Sequence, residues 1–159
     1  MAAMLCLCMS SQAKITMSNL CTDGMVLQQN ENINIWGWSK PSAKISVKAG
    51  WLDDEVRTKA DGDGKWIVTL ATPAGGYEAY RMAVSDGKSE IVLEDILIGE
   101  VWLCSGQSNM AWKTELCLDL KEEMEDAANV GKHVRLFITG RIRSDKPEVD
   151  VSDAKWTGC

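Results

Sequence analysis

Histidine is nearly absent from this sequence: His133 is the single one among 159 residues. That scarcity excludes a histidine-rich metal site, and any catalytic base of that type must be His133 or lie outside these residues. Aromatic residues other than tryptophan are scarce as well, with two Tyr and one Phe against seven Trp. No apolar run approaches the roughly 18 residues of a membrane-spanning helix. Lys and Arg are scattered, and the net charge is −6, so a phosphate-backbone partner such as nucleic acid is not expected. No pair of cysteines has CxxC spacing, which argues against a zinc knuckle or a thioredoxin-type pair. There is no internal repeat and no low-complexity segment. What remains, 45% hydrophobic and 25% charged residues, is the balance of a globular chain with one domain or two small ones.

Residues 1–13 stand apart. Met1 to Met9 are almost wholly apolar, and Ser11-Gln12-Ala13 has the small-x-small form of a signal-peptidase site. A positively charged start is missing, so the segment reads as a truncated signal peptide, the alternative being an unstructured or strand-forming N-terminus. Leu5 and Leu7 before Cys6 and Cys8 argue against a lipid anchor. Export would place the protein outside the cell or in the periplasm, or in a lysosome if it is eukaryotic. It would also leave Cys21, Cys104, Cys117 and Cys159, an even number with three connectivities open. Cys104, inside an apolar run, reads best as a buried thiol.

From Met25 to Leu93 short runs with period-two alternation follow one another. Candidate strands are Met25–Gln28, Ile33–Trp38, Lys44–Lys48, Glu55–Lys59, Lys65–Leu70, Tyr77–Val84 and Glu90–Leu93. Ile33, Ile35 and Gly37 share one face, as do Ile45 and Val47, and as do Trp66, Val68 and Leu70. Trp36 and Trp38 share the opposite face of their strand, suited to core or interdomain packing rather than to a sugar-stacking platform. Turn residues separate the runs at Ser39–Ser42, Asp61–Gly64, Pro73–Gly76 and Asp86–Gly87. Asp61 and Asp63 lack the downstream acidic ligand of a calcium loop, and a hairpin turn accounts for them. The pattern predicts an antiparallel β-sandwich over residues 14–97.

After Ile96 the pattern changes. Ile96–Cys104 reads as a strand buried on both faces, followed by the turn Ser105–Met110. Leu116–Asn129 has helical periodicity, with Leu116, Leu120, Met124 and Ala127 on one face and Glu122, Glu123, Glu125 and Asp126 on the other. His133–Thr139 reads as a further strand. Strand, turn, helix, strand is the opening βαβ unit of a parallel α/β sheet. Two parallel strands cannot cover their own faces, so residues 98–159 are expected to be the incomplete start of a second domain.

A serine in a tight turn after a buried strand is how an α/β sheet presents a nucleophile, although by pattern alone a Gly-Gln-Ser-Asn turn is more often an ordinary loop. Gly106 permits the sharp turn, Ser108 projects a hydroxyl, and its backbone amide can face a developing oxyanion, with Gln107 and Asn109 flanking it. His133, at the entry edge of its strand, is placed at the opposite end of the sheet and is not expected to act on Ser108. No metal ligand cluster and no cofactor is expected.

The stretch Gly99-Glu100-Val101-Trp102-Leu103-Cys104-Ser105-Gly106-Gln107-Ser108-Asn109-Met110 closely resembles the nucleophile block of the sialate O-acetylesterase family, carbohydrate esterases of the SGNH hydrolase superfamily. The resemblance extends to Asp23-Gly24-Met25-Val26-Leu27-Gln28-Gln29, Ile35-Trp36-Gly37-Trp38, Asp63-Gly64-Lys65-Trp66, and Val134-Arg135-Leu136-Phe137 followed by Lys155-Trp156 and Cys159. It runs from about Lys14 to the last residue. Ala111 and Lys113 depart from it, standing where relatives often carry an acidic residue and a proline. The resemblance implies a mixed fold, a β-sandwich leading into an SGNH catalytic domain, with Ser108 attacking an acetyl ester on sialic acid or a related glycan. It further implies a histidine and aspartate from an Asp-x-x-His block, and oxyanion-hole donors from a glycine and an asparagine in intervening blocks. None of these blocks occurs in the 159 residues, so the chain alone is expected to be inactive and to need the remainder of the catalytic domain as partner. The alternative is a non-catalytic accessory sandwich that binds carbohydrate, or a structural interaction domain without a ligand.

Overall fold

A computed structural model describes residues 14–158 apart from 117, 119, 141 and 153. The leader reading with Cys6 and Cys8, together with Cys117 and Cys159, lies outside the described residues. Eight strands come first: β1 (Thr16–Met17), β2 (Val26–Gln28), β3 (Asn32–Trp38), β4 (Lys44–Ala49), β5 (Val56–Lys59), β6 (Lys65–Ala71), β7 (Tyr80–Ser85) and β8 (Glu90–Gly99). They form a three-stranded sheet in the order β1-β3-β6 and a five-stranded sheet in the order β2-β8-β7-β4-β5. After them come the helix α1 (Leu120–Val130) and the strands β9 (Arg135–Phe137) and β10 (Trp156–Gly158). The protein is thus mixed but dominated by sheet.

Alternation explains the core. Ile35 from β3 and Trp66, Val68 and Leu70 from β6 meet Ile45 and Val47 from β4, Met82 and Val84 from β7, and Leu93, Ile96 and Ile98 from β8 in one cluster, each of them buried. Each such side chain withdrawn from water contributes about 1.5–3 kcal/mol. Gly37 lies among them for want of a side chain: a Cβ there would run into the Thr16 carbonyl oxygen and stand 2.8 Å from Trp66 Cζ2. The glycine therefore lets β1 pair closely and lets the indole slide beneath β3. Trp51 closes one side, its ring edge-on to Tyr80 at 5.7 Å and its Nε1 donating to Ala71 O at 3.0 Å.

Several expectations are corrected. The five-stranded sheet is not purely antiparallel, because β2 runs parallel to β8, with Leu27 opposite Ile98. Residues 90–99 form one strand where the sequence suggests a break at Ile96. Asp95, at φ 55°, and a register shift opposite Tyr80 and Met82 turn the strand so that Ile96, Leu97 and Ile98 are buried in succession. The turn at Asp61–Gly64 is tight, with Asp61 Oδ1 accepting from the Asp63 and Lys65 amides at 3.0 and 2.8 Å. It joins β5 to β6, however, and so links the two sheets rather than closing a hairpin within one.

The larger correction concerns the second half. β8 ends at Gly99, and the chain beyond it is not a buried strand: Trp102 is 81% and Leu103 96% exposed. Nor does a parallel βαβ unit form among the described residues, since β9 pairs antiparallel with β10. A central strand is buried only by neighbours on both edges and layers on both faces, and the described residues supply neither here. The same holds for the helix. It begins at Leu120 rather than Leu116, and Met124, on the face expected to be covered, is 61% exposed.

The tail instead folds back on the beginning of the chain. Trp156 packs its ring at a tilt against Phe137, centroids 5.2 Å apart, and donates Nε1 to Leu20 O at 2.9 Å. The Asp150 carboxylate accepts from Ser18 Oγ at 2.8 Å and from the Asn19 amide at 3.0 Å. Trp36 Nε1 donates to Val149 O at 3.3 Å, so its face packs against the tail.

Both described cysteines are free, Cys21 buried and Cys104 exposed, which reverses the expectation for Cys104. Burial pushes the Cys21 thiol up to about 11, and the thiolate is the reactive form. A thiol reagent added to the folded protein at neutral pH is expected to modify Cys104 at once and Cys21 only on unfolding, as read by peptide mass mapping. Equal labelling of the two would contradict this placement.

Candidate active site

The residues singled out from the sequence lie just past the five-stranded sheet. Gly99 ends β8, and Ser108–Ala111 form a single 3-10 turn. Gln107 precedes that turn in an extended conformation and accepts from the Met110 amide at 2.9 Å. Met110 folds back over Gly106, where a Cβ would lie 2.7 Å from Met110 Cγ, part of a flexible and exposed side chain. A four-residue turn has too few aligned peptides for a helix dipole to matter. The local order around Ser108 therefore rests on the turn itself.

Ser105 to Met110 are all exposed. Among the described residues the Ser108 hydroxyl has no hydrogen-bond partner. His133 ends a 3-10 turn at Gly131–His133 rather than opening the strand, which begins at Arg135, and its ring lies tilted against Tyr77 with centroids 4.2 Å apart. The structure places Ser108 and Asn109 in the turn, with Gly106 and Gln107 just ahead of it, and among the described residues no hydrogen-bonded base stands beside the serine. Among the described residues no three His, Cys, Asp or Glu side chains come together as a metal site, and no helix is long and apolar enough to cross a membrane.

What anchors this segment is a cluster that sequence reasoning missed. Gln28 Nε2 and Gln29 Nε2 donate to the two oxygens of Glu100 at 3.1 and 2.6 Å. The other ends of the same side chains accept from backbone: Gln28 Oε1 from the Val101 amide at 2.9 Å and Gln29 Oε1 from the Gly75 amide at 2.7 Å. The Gln29 backbone N–H donates in turn to Gly99 O at 2.9 Å. The Gln29 and Gln28 donors hold the Glu100 carboxyl below the usual carboxylate range, because a hydrogen bond to the charged form favours that form. The signal that would have found this cluster is a pair of amides closing an otherwise apolar strand; its partner lies some seventy residues away in sequence.

Two of the blocks that carry the sequence resemblance, Asp23–Gln29 and Gly99–Met110, touch here. No family model matches the chain. The sialate O-acetylesterase of Mus musculus is 31% identical over 146 residues, 84% of this chain and 27% of that protein. Those of Rattus norvegicus and Homo sapiens are each 27% identical over 143 residues, again 84% of this chain and 26–27% of theirs. In structure, a carbohydrate acetylesterase from Xanthomonas citri superposes with a TM-score of 0.80 at 32% identity, covering 91% of this chain and 32% of that one. The chain thus spans about a quarter of the length of the curated relatives it matches. The family this chain resembles is that of the sialate O-acetylesterases, by sequence over 84% of its residues, and over 91% of them its fold is similar to part of a carbohydrate acetylesterase.

Proposed function

We propose that this chain carries the nucleophile of an exported serine esterase that removes O-acetyl groups from sialic acid or related glycans. The observation that supports this most is the block with Ser108 hung, through Glu100, on the Gln28-Gln29 pair, in a chain similar to sialate O-acetylesterases. On this reading residues 14–97 are a β-sandwich and residues 98–159 the start of an SGNH catalytic domain. The exposed Val101–Leu103 stretch is then the strand that the remainder of that domain covers.

Ser108 Oγ attacks the acetyl carbonyl carbon and loses its proton to a base. The tetrahedral oxyanion is met by the Ser108 backbone N–H and further donors. Collapse breaks the bond to the sugar oxygen, which takes up the proton and leaves as the free hydroxyl. Water then hydrolyses the acetyl-serine to acetate by the reverse proton path. A serine hydroxyl is too weak a nucleophile without an adjacent base. The Asp-x-x-His block that the resemblance implies does not occur in residues 1–159, so these residues alone are proposed to turn over no ester.

The test uses the intact protein as its gene encodes it, with 4-nitrophenyl acetate and O-acetylated sialic acid as substrates. Acetate release from both is expected, with no turnover above buffer from residues 1–159 alone. Glycan binding without acetate release would favour the accessory-module reading instead.

A further inference from the structure

The geometry points to Gln28, Gln29 and Glu100 as positioning residues for Ser108: a donor–acceptor clamp that sets the direction in which the nucleophile segment leaves the sheet. This inference rests on the reading of Ser108 as nucleophile.

Each glutamine amide is oriented by a backbone N–H. Because Gln28 Oε1 accepts from Val101 and Gln29 Oε1 from Gly75, both side chains can present only their NH2 ends to residue 100. Two donors 3.1 and 2.6 Å from the two oxygens of one carboxyl match a carboxylate in this exposed cluster; an amide at position 100 offers only one acceptor to them. Val101 is itself held by Gln28, so the clamp fixes both the side chain and the backbone at the first step beyond β8. Gly75, from the loop between β6 and β7, approaches closely enough that a Cβ on it would lie 2.9 Å from Ile98 O. It thereby ties that loop to the strand end.

From Glu100 to Ser108 the chain can reach about 26–29 Å. A small change of direction at the clamp becomes a displacement of the hydroxyl, and misplacement by about 1 Å costs up to about a hundredfold in rate. None of these side chains needs to touch substrate for that effect. The relevant distinction is therefore between a clamp that merely stabilises the fold and one that aims the serine.

A charge swap in the intact protein separates the two. Glu100→Gln leaves one glutamine donor facing another donor. Gln29→Glu sets a second carboxylate against Glu100. Combined, the two changes pair every group again: the carboxylate introduced at position 29 accepts from Gly75 N–H and from the new amide at position 100, whose oxygen accepts from Gln28. Each single variant is expected to slow both kcat on 4-nitrophenyl acetate and fluorophosphonate labelling of Ser108 by roughly tenfold, with KM changed less than kcat. The double variant is expected to recover both rates to within about twofold.

Singles that label and turn over at the wild-type rate while only Tm falls would overturn the inference. So would a double variant as slow as the singles, which also decides the matter if the singles fail to fold. Failure of wild-type protein to label at Ser108, by contrast, would remove the underlying reading of the nucleophile itself.

Discussion

Replacing Ser108 by alanine in the intact protein is expected to lower acetyl ester turnover by about 10⁴-fold or more, the loss seen when the nucleophile of a serine hydrolase is removed. The same change is expected to leave thermal unfolding within about 2 °C of wild type, because a substitution at an exposed residue outside any packed cluster shifts stability by no more than about 0.5 kcal/mol. Ser108 is such a residue, exposed and without a hydrogen-bond partner among the described residues. The pairing of a large kinetic effect with a small thermal one is the informative part. Loss of activity accompanied by a collapse in Tm would indicate a structural role, and an alanine variant with full activity would remove Ser108 from the mechanism.

The second large effect lies at Trp66, and here the expectation is reversed: stability falls first and activity only as a consequence. Trp66 is 1% exposed at the centre of the cluster shared by the two sheets. Cutting it to alanine removes most of a buried indole and leaves a cavity that β3 cannot close, because Gly37 has no side chain to lean into it. Truncations of this kind cost about 3–5 kcal/mol, a large share of the 5–15 kcal/mol that holds a typical protein folded.

The indole nitrogen sharpens the test. Among the described residues Trp66 Nε1 is buried without a hydrogen-bond partner, a deficit of about 1–3 kcal/mol. Trp66→Phe removes that deficit while losing part of the ring, so it is expected to unfold within about 1 kcal/mol of wild type. Urea unfolding of both variants decides between these. A phenylalanine variant as damaged as the alanine variant would mean that the nitrogen has a partner in solution.

Local physics was legible wherever a residue's environment is set by its near neighbours. The strands of residues 25–93 could be read from alternation, because a side chain two positions on returns to the same face. Trp66, Val68 and Leu70 are buried as that rule requires. The turn at Asp61–Gly64 was visible for the same reason, since Asp61 bonds its own next residues. β1 was missed because two residues carry no period, and it exists through Gly37, which lets it approach β3. The serine turn was legible from Gly106 and from a resemblance, whereas the residues that anchor it were not.

What the sequence by itself determined about this protein is its local vocabulary: which segments alternate, where the chain turns, which serine stands in a turn after an apolar run, and that histidine chemistry has almost no residue to use. Tertiary structure alone decided the rest. It decided that β2 lies parallel to β8, that the Asp61 turn crosses between sheets, that Cys104 is exposed and Cys21 buried, and that Glu100 is held by Gln28 and Gln29 from across the fold. The physical reason is the same in each case. Hydropathy states what a side chain would gain from burial, but burial and hydrogen bonding require a partner. Partners some seventy residues apart, such as Gln29 and Glu100, are chosen by how the sheets assemble.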